Sequence, residues 1–102
     1  MEPRHVSEQQ DRLQVVDVRE VEERDVGRIP GSRWIPMDAL PQRLGERDAG
    51  SPAVTVCRSG RMADYLADQG YQADNLDGGI AVWAEEKLPV RRPANDTPGK
   101  VA

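Results

Sequence analysis

Short apolar runs rich in valine and isoleucine alternate with more polar stretches along the 102-residue chain. Each run is the length of a strand and is bounded by polar residues, glycine or proline, which favours strands over helices. The predicted strands are Gln14 to Val18, Arg33 to Ile35, Ala53 to Val56 and Gln72 to Leu76. The stretches between them are long enough for helices. This alternation is typical of an α/β domain with a mostly parallel sheet.

The helices are predicted from caps and from apolar spacing. Ser7 and Gln10 have the spacing of a capping box, so we expect them to open a short helix. The other predicted helices are Glu20 to Asp25, a segment from Asp38 through Leu44, Met62 to Gln69, and Ile80 to Ala84. We expect one domain over residues 1–92. Prolines and a glycine in residues 93–102 predict a flexible tail.

Composition narrows the class of protein. No apolar run approaches a membrane span, which predicts a cytoplasmic protein without membrane contacts. The net charge of −4 argues against a nucleic-acid partner. With one cysteine and one histidine, an intramolecular disulfide is impossible and neither a metal site nor a cofactor is expected.

The single cysteine, Cys57, follows the apolar run at Ala53–Val56 and precedes Arg58, Ser59, Gly60 and Arg61. Loop N–H groups, the start of the next helix and two guanidinium groups favour a thiolate and can hold an anion. A lone cysteine is most often a small buried hydrophobe, but such a residue has no need of two neighbouring arginines. The pattern therefore indicates a nucleophile for an anionic substrate.

Several other polar, glycine and aromatic residues could belong either to a functional site or to the supporting structure. Asp17 and Arg19 follow a strand, and we expect Asp17 to accept loop N–H groups and Arg19 to pair with Glu23 or Glu20, supporting the crevice beside Cys57. Gly78-Gly79 lacks the phosphate-loop patterns and indicates a turn. Trp83 is expected in the core. For Trp34, strand alternation leaves either face open.

Four segments in order resemble the single-domain rhodaneses, a family of rhodanese-like sulfurtransferases. They are Val15-Val16-Asp17-Val18-Arg19-Glu20, Gly27-Arg28-Ile29-Pro30-Gly31-Ser32, Cys57-Arg58-Ser59-Gly60, and Asn75-Leu76-Asp77-Gly78-Gly79-Ile80 followed by Trp83 and Leu88-Pro89-Val90. The second segment has Arg28 where a histidine is usual. The resemblance spans residues 4–91.

The resemblance implies a three-layer α/β fold: a mostly parallel central sheet of about five short strands with helices on both faces. It also implies a sulfurtransferase that moves a sulfane sulfur from a small anionic donor such as thiosulfate, through a Cys57 persulfide, to cyanide, a cellular thiol or a protein acceptor. The implied binding loop is Arg58, Ser59, Gly60, Arg61 and Met62, with Asp17 and Arg19 behind it.

Two features depart from the family's pattern. Met62 stands where a basic or hydroxyl residue is usual, with Arg61 one position earlier, and the segment after Cys57 is about four residues short, leaving a helix of about two turns. These departures favour the alternative, a weakly active or non-catalytic module that carries sulfur or binds a protein. A Cdc25-type or tyrosine phosphatase needs Cys-x5-Arg, but position 63 is Ala63, and a dithiol oxidoreductase needs a second cysteine.

Overall fold

The computed structural model describes residues 1–39, 52–56, 61–93, 97–99 and 101. Within them lie four helices and four strands. They are α1 (Pro3–Glu8), β1 (Gln14–Asp17), α2 (Val21–Val26), β2 (Arg33–Trp34), β3 (Ala53–Val56), α3 (Arg61–Asp68), β4 (Ala73–Asn75) and α4 (Gly79–Glu85). Among these residues no helix combines the length and apolarity needed to cross a membrane. The predicted α/β class is confirmed, with four strands where about five were expected.

All strand pairs in the sheet are parallel, and the strand order is β2-β1-β3-β4. From β1 the chain passes through α2 to β2 on one side, and from β3 it passes through α3 to β4 on the other. Because crossovers between parallel strands are right-handed, this order places α2 and α3 on opposite faces. The direction of winding changes between β1 and β3, which makes the carboxyl ends of these two strands the switch point where open α/β sheets bind ligands.

Strand alternation divides the core into two clusters. Val15, Val54 and Val56 point to one face, where they pack with Val6 of α1 and with Ile80 and Trp83 of α4. Val16 and Val18 point to the other face and pack with Ile35 and with Leu66 of α3. We name these the larger cluster and the smaller cluster. Trp83 is fully buried in the larger cluster and donates from Nε1 to the carbonyl of Pro89 at 2.8 Å, so its predicted core position is confirmed.

The predicted capping box at Ser7 and Gln10 is wrong. The first helix begins at Pro3, because proline at the first helical position needs no N–H partner and already has a helical φ. Ser7 therefore lies in its last turn, and the Gln10 amide donates to the carbonyl of Pro30 at 2.8 Å. A capping box does open α2, where the Glu23 carboxylate accepts the N–H of Glu20 at 3.3 Å.

Gly78 and Gly79 form the expected turn before α4. Both have positive φ, 74° and 61°. A Cβ at Gly78 would clash with the side chain of Val82, so this position requires glycine for space as well as for conformation. The structural interpretation of the two glycines is confirmed.

Part of the segment predicted as a tail folds back on the domain. Gly99 donates its N–H to Val90 at 2.9 Å, and Arg92 donates to the carbonyl of Thr97 at 2.8 Å. A Cβ at Gly99 would lie 2.7 Å from the carbonyl oxygen of Val26. The boundary at residue 92 stays a prediction, and these contacts give residues 97–99 a packed partner beyond it.

Candidate active site

The carboxyl ends of β1 and β3 meet in register at the switch point. Asp17, the last residue of β1, is paired with Val56, the last residue of β3. The next N–H along the chain, that of Val18, donates to the carbonyl of Val56 at 3.4 Å. Cys57 follows Val56 in sequence, and Cys57, Arg58, Ser59 and Gly60 lie outside the described residues. The site is therefore described through what flanks these four residues.

A buried ion pair stands beside the end of β3. The Arg19 guanidinium donates from Nε to Asp17 Oδ1 at 2.9 Å and from Nη2 to Asp17 Oδ2 at 2.8 Å. Nη2 also donates to the carbonyl of Gly27 at 2.7 Å. Both side chains are buried, with exposed fractions of 6% for Arg19 and 2% for Asp17. A bidentate pair of this kind has the strong, directional geometry that can hold a loop in one conformation.

The pairing of Arg19 with Glu23 or Glu20 is wrong, because its partner is Asp17. The two glutamates serve the capping box of α2 instead, while Asp17 lies on the buried side of the same turn. The expectation that Asp17 accepts a loop N–H is confirmed, since its Oδ1 accepts from the backbone of Arg19 at 3.0 Å. Arg19 Nη1 is buried and has no hydrogen-bond partner.

The loop that follows β1 is also held from the side of β2. Ile35 donates its N–H to the carbonyl of Asp17 at 2.9 Å, and Met37 donates to that of Val18 at 3.2 Å. The indole of Trp34 donates to the carbonyl of Arg19 at 3.0 Å. The backbone from Asp17 to Arg19 is thereby hydrogen-bonded to both neighbouring strands. These bonds fix its conformation next to the end of the strand that precedes Cys57.

Trp34 contributes to the structure of this edge, although strand alternation alone did not show which face of the sheet its side chain is on. Its ring lies under the guanidinium of Arg24, with 5.1 Å from Cζ to the ring centroid. Together with its bond to Arg19, this contact joins α2 to β2 at the carboxyl edge. In the sequence, its position as an aromatic residue in a short predicted strand was the sign that it could take part in the site. Only the tertiary contacts show which side it faces.

Arg61 and Met62 lie in the first turn of α3 rather than in the loop before it. Arg61 is exposed, whereas Met62 is partly buried and packs against the smaller cluster. The helix has eight residues, in agreement with the expected two turns. Its first turn therefore presents an arginine close in sequence to Cys57 and directs the neighbouring methionine to the sheet.

Two apolar side chains border the same edge of the sheet. Val21, at the start of α2, is 39% exposed, and Met37, after β2, is 38% exposed. Both segments follow the carboxyl ends of strands. The surroundings of the switch point thus combine exposed apolar groups with the cation of Arg61.

Comparison with known proteins places this arrangement in a family. A model of the rhodanese-like domain matches residues 3–86. The putative sulfurtransferase YtwF of Bacillus subtilis is 35% identical over 86 residues, covering 80% of this chain and 84% of that protein. The thiosulfate sulfurtransferase GlpE of Shewanella oneidensis is 33% identical over 78 residues, covering 72% and 77%.

A solved structure agrees with the sequence comparison. The rhodanese-related protein of Thermoplasma volcanium superposes with a TM-score of 0.81 at 26% identity, covering 88% of this chain and 94% of that one. The matched residues include both flanks of the switch point, from the strand before Asp17 to the helix after Cys57. The chain belongs to the rhodanese-like domain family.

Proposed function

We propose that the protein is a sulfurtransferase in which Cys57 carries the transferred sulfur as a persulfide. The observation that carries the proposal is the register of the sheet: Val56 ends the central strand at the switch point, and Cys57 is the next residue. Homologues of the chain are named sulfurtransferases, which supports the same chemistry.

The reaction proceeds in two displacement steps. The Cys57 thiolate attacks the outer sulfur of thiosulfate, the S–S bond of the donor breaks, and sulfite leaves with the bonding pair. The enzyme then holds Cys57–S–S⁻. Cyanide or a thiolate attacks the terminal sulfur, forming thiocyanate or a new persulfide, and the Cys57 thiolate returns. No general base is needed when the thiol is already ionised.

The surroundings have assigned roles in this proposal. Arg58 and Arg61 attract the anionic donor, and the N–H groups of Ser59 and Gly60 stabilise the persulfide charge. The first turn of α3 adds the positive end of a helix. The Asp17–Arg19 pair acts as a positioning device, since it fixes the strand end beside Val56 and the Arg19 guanidinium donates to Asp17 and to the carbonyl of Gly27.

The test is the intact mass of the protein after incubation with thiosulfate. The expected result is a gain of one sulfur atom that dithiothreitol removes, with no gain in Cys57→Ser. Arg12→Gln serves as a control for an ordinary surface change, because Arg12 is an exposed arginine in the turn before β1. This variant should gain the sulfur atom as the wild type does. A folded protein that gains no sulfur from any sulfane donor overturns the proposal.

The exposed apolar side chains of Val21 and Met37 favour a second candidate, a carrier that exchanges sulfur with a protein rather than with small donors. Apolar groups beside a site contribute to protein contacts more than to binding of a small dianion. In this case a persulfidated protein loads Cys57 faster than thiosulfate does, and Met37→Ser slows the protein donor only.

A further inference from the structure

Arg28 and Arg91 lie directly opposite one another in a short antiparallel bridge. Each donates its N–H to the carbonyl of the other, at 2.8 Å for Arg28 and 2.9 Å for Arg91. Pro98 forms the next bridge on the far side of Arg91. The three residues therefore form one row across three segments of chain.

The backbone geometry sets the direction of the two arginine side chains. Residues that exchange both hydrogen bonds in an antiparallel pair project to the same side, with Cβ atoms roughly 5 Å apart. The adjoining residues, Ile29 and Val90, belong to the larger core cluster. Arg28 and Arg91 therefore project to the opposite side, away from that core, where both are partly buried.

Two cations in this position repel one another unless something neutralises them, because like charges directly opposite across a strand pair are destabilising. None of the ion pairs among the described residues involves Arg28 or Arg91. In addition, Nε of Arg28 is buried and has no hydrogen-bond partner. A buried donor without an acceptor, next to an unneutralised second cation, is the arrangement that an anion completes.

We propose that Arg28 and Arg91 form a binding site for a doubly charged tetrahedral oxyanion. Guanidinium groups donate in pairs to such ions, and two guanidinium groups on one side of a ladder can hold opposite edges of one ion. The shared chemistry belongs equally to phosphate and to the sulfur oxyanions. The site lies next to the buried ion pair of Asp17 and Arg19, since the carbonyl of Gly27, the residue before Arg28, accepts a hydrogen bond from Arg19.

The test compares melting temperatures in phosphate, sulfate and chloride at equal ionic strength and pH 7.5. For a site with a millimolar Kd and a ligand concentration about ten times that Kd, the wild-type melting temperature should rise by about 6–11 °C in a domain of this size. Arg28→Gln and Arg91→Gln should each lose most of the rise, and Arg12→Gln should keep it. Thiosulfate, added to the Cys57→Ser variant, distinguishes sulfur oxyanions from phosphate as the ligand. If the melting temperature rises with thiosulfate and sulfate alone, the site is assigned to sulfur oxyanions. An equal rise with phosphate assigns it to oxyanions in general.

Phosphate and sulfate also stabilise proteins through exclusion from the surface, which the variants control for. Equal rises in the wild type and in both glutamine variants, or no rise at all, would overturn the proposal. Arg28→Glu provides an independent check. It replaces the opposed cations by an ion pair, so it should raise the melting temperature in chloride and abolish the response to phosphate. A lower melting temperature of Arg28→Glu in chloride would contradict the opposed charges on which the site depends.

Discussion

Among the residues that the structure describes, the two faces of the sheet are covered unequally. The larger cluster joins α1 and α4 to the sheet through nine buried side chains and includes Trp83, whereas the smaller cluster has four and is completed by partly buried residues such as Met62 and Tyr65. The helix that follows Cys57 is the one on the smaller cluster. Of the packing between described residues, the larger cluster therefore contributes the greater part of the stability, and the smaller one sets the position of the helix that follows Cys57 in the chain.

The largest expected effect comes from removing the central side chain of the larger cluster. Trp83→Ala should lower the free energy of unfolding by about 3–5 kcal/mol, because it leaves a cavity and deprives the Pro89 carbonyl of its donor. Urea unfolding followed by circular dichroism measures the loss. The thiosulfate kcat/KM of the folded fraction should stay within about twofold of wild type.

Leu66→Ala is the matched change on the smaller cluster. It should cost about 2–4 kcal/mol and also lower kcat/KM, because α3, the helix that follows Cys57 in the chain, then packs less firmly on the sheet. Equal effects of the two variants on kcat/KM would show that the faces do not divide stability and positioning between them.

The ion pair at the edge of the sheet gives the next effect. Asp17→Leu should lower the free energy of unfolding by about 3 kcal/mol, since it leaves the buried Arg19 guanidinium without its carboxylate. Adding Arg19→Met should recover most of that stability, because two apolar side chains replace two buried charges. If the double variant is no more stable than Asp17→Leu, the cost does not arise from the uncompensated charge.

The smallest effect is expected at Met62, on the border of the smaller cluster. Met62→Leu conserves volume and should change the free energy of unfolding by less than about 1 kcal/mol. Met62→Arg should lower it by about 1–2 kcal/mol, because the side chain packs on the cluster and its cation must turn outward. Thermal unfolding of both variants provides the comparison, and equal melting temperatures would place Met62 outside the packed face.

Helices and strands were predicted well where the spacing of apolar residues agrees with the glycine, proline and polar residues that bound each element. The strand at Ala53–Val56 was predicted to the residue, and the helix after Cys57 to within one residue at each end. The capping box failed at Ser7, because its three-residue spacing also occurs by chance and a proline at the first helical position competes with it. The predicted helix from Asp38 through Leu44 lies largely outside the described residues, as do Cys57 to Gly60.

The sequence alone did not predict which carboxylate pairs with a given arginine. Arg19 has four carboxylates within four residues of it in the sequence, and spacing alone favoured the glutamates. The choice of Asp17 depends on burial, since only that carboxylate lies on the covered side of the turn. Trp34 was undecided for the same reason: a two-residue strand offers no alternation to assign a face.

The sequence by itself determined the α/β class, the family and the residue at the end of the central strand, because these depend on periodic apolar runs and short contiguous motifs. The tertiary structure decided which strands are neighbours and where the winding reverses, and it closed the bidentate pair of Asp17 and Arg19. It also brought Arg28 opposite Arg91, two residues 63 positions apart in the chain. Contacts of that separation are set by strand order and register, and no local pattern of residues carries that information.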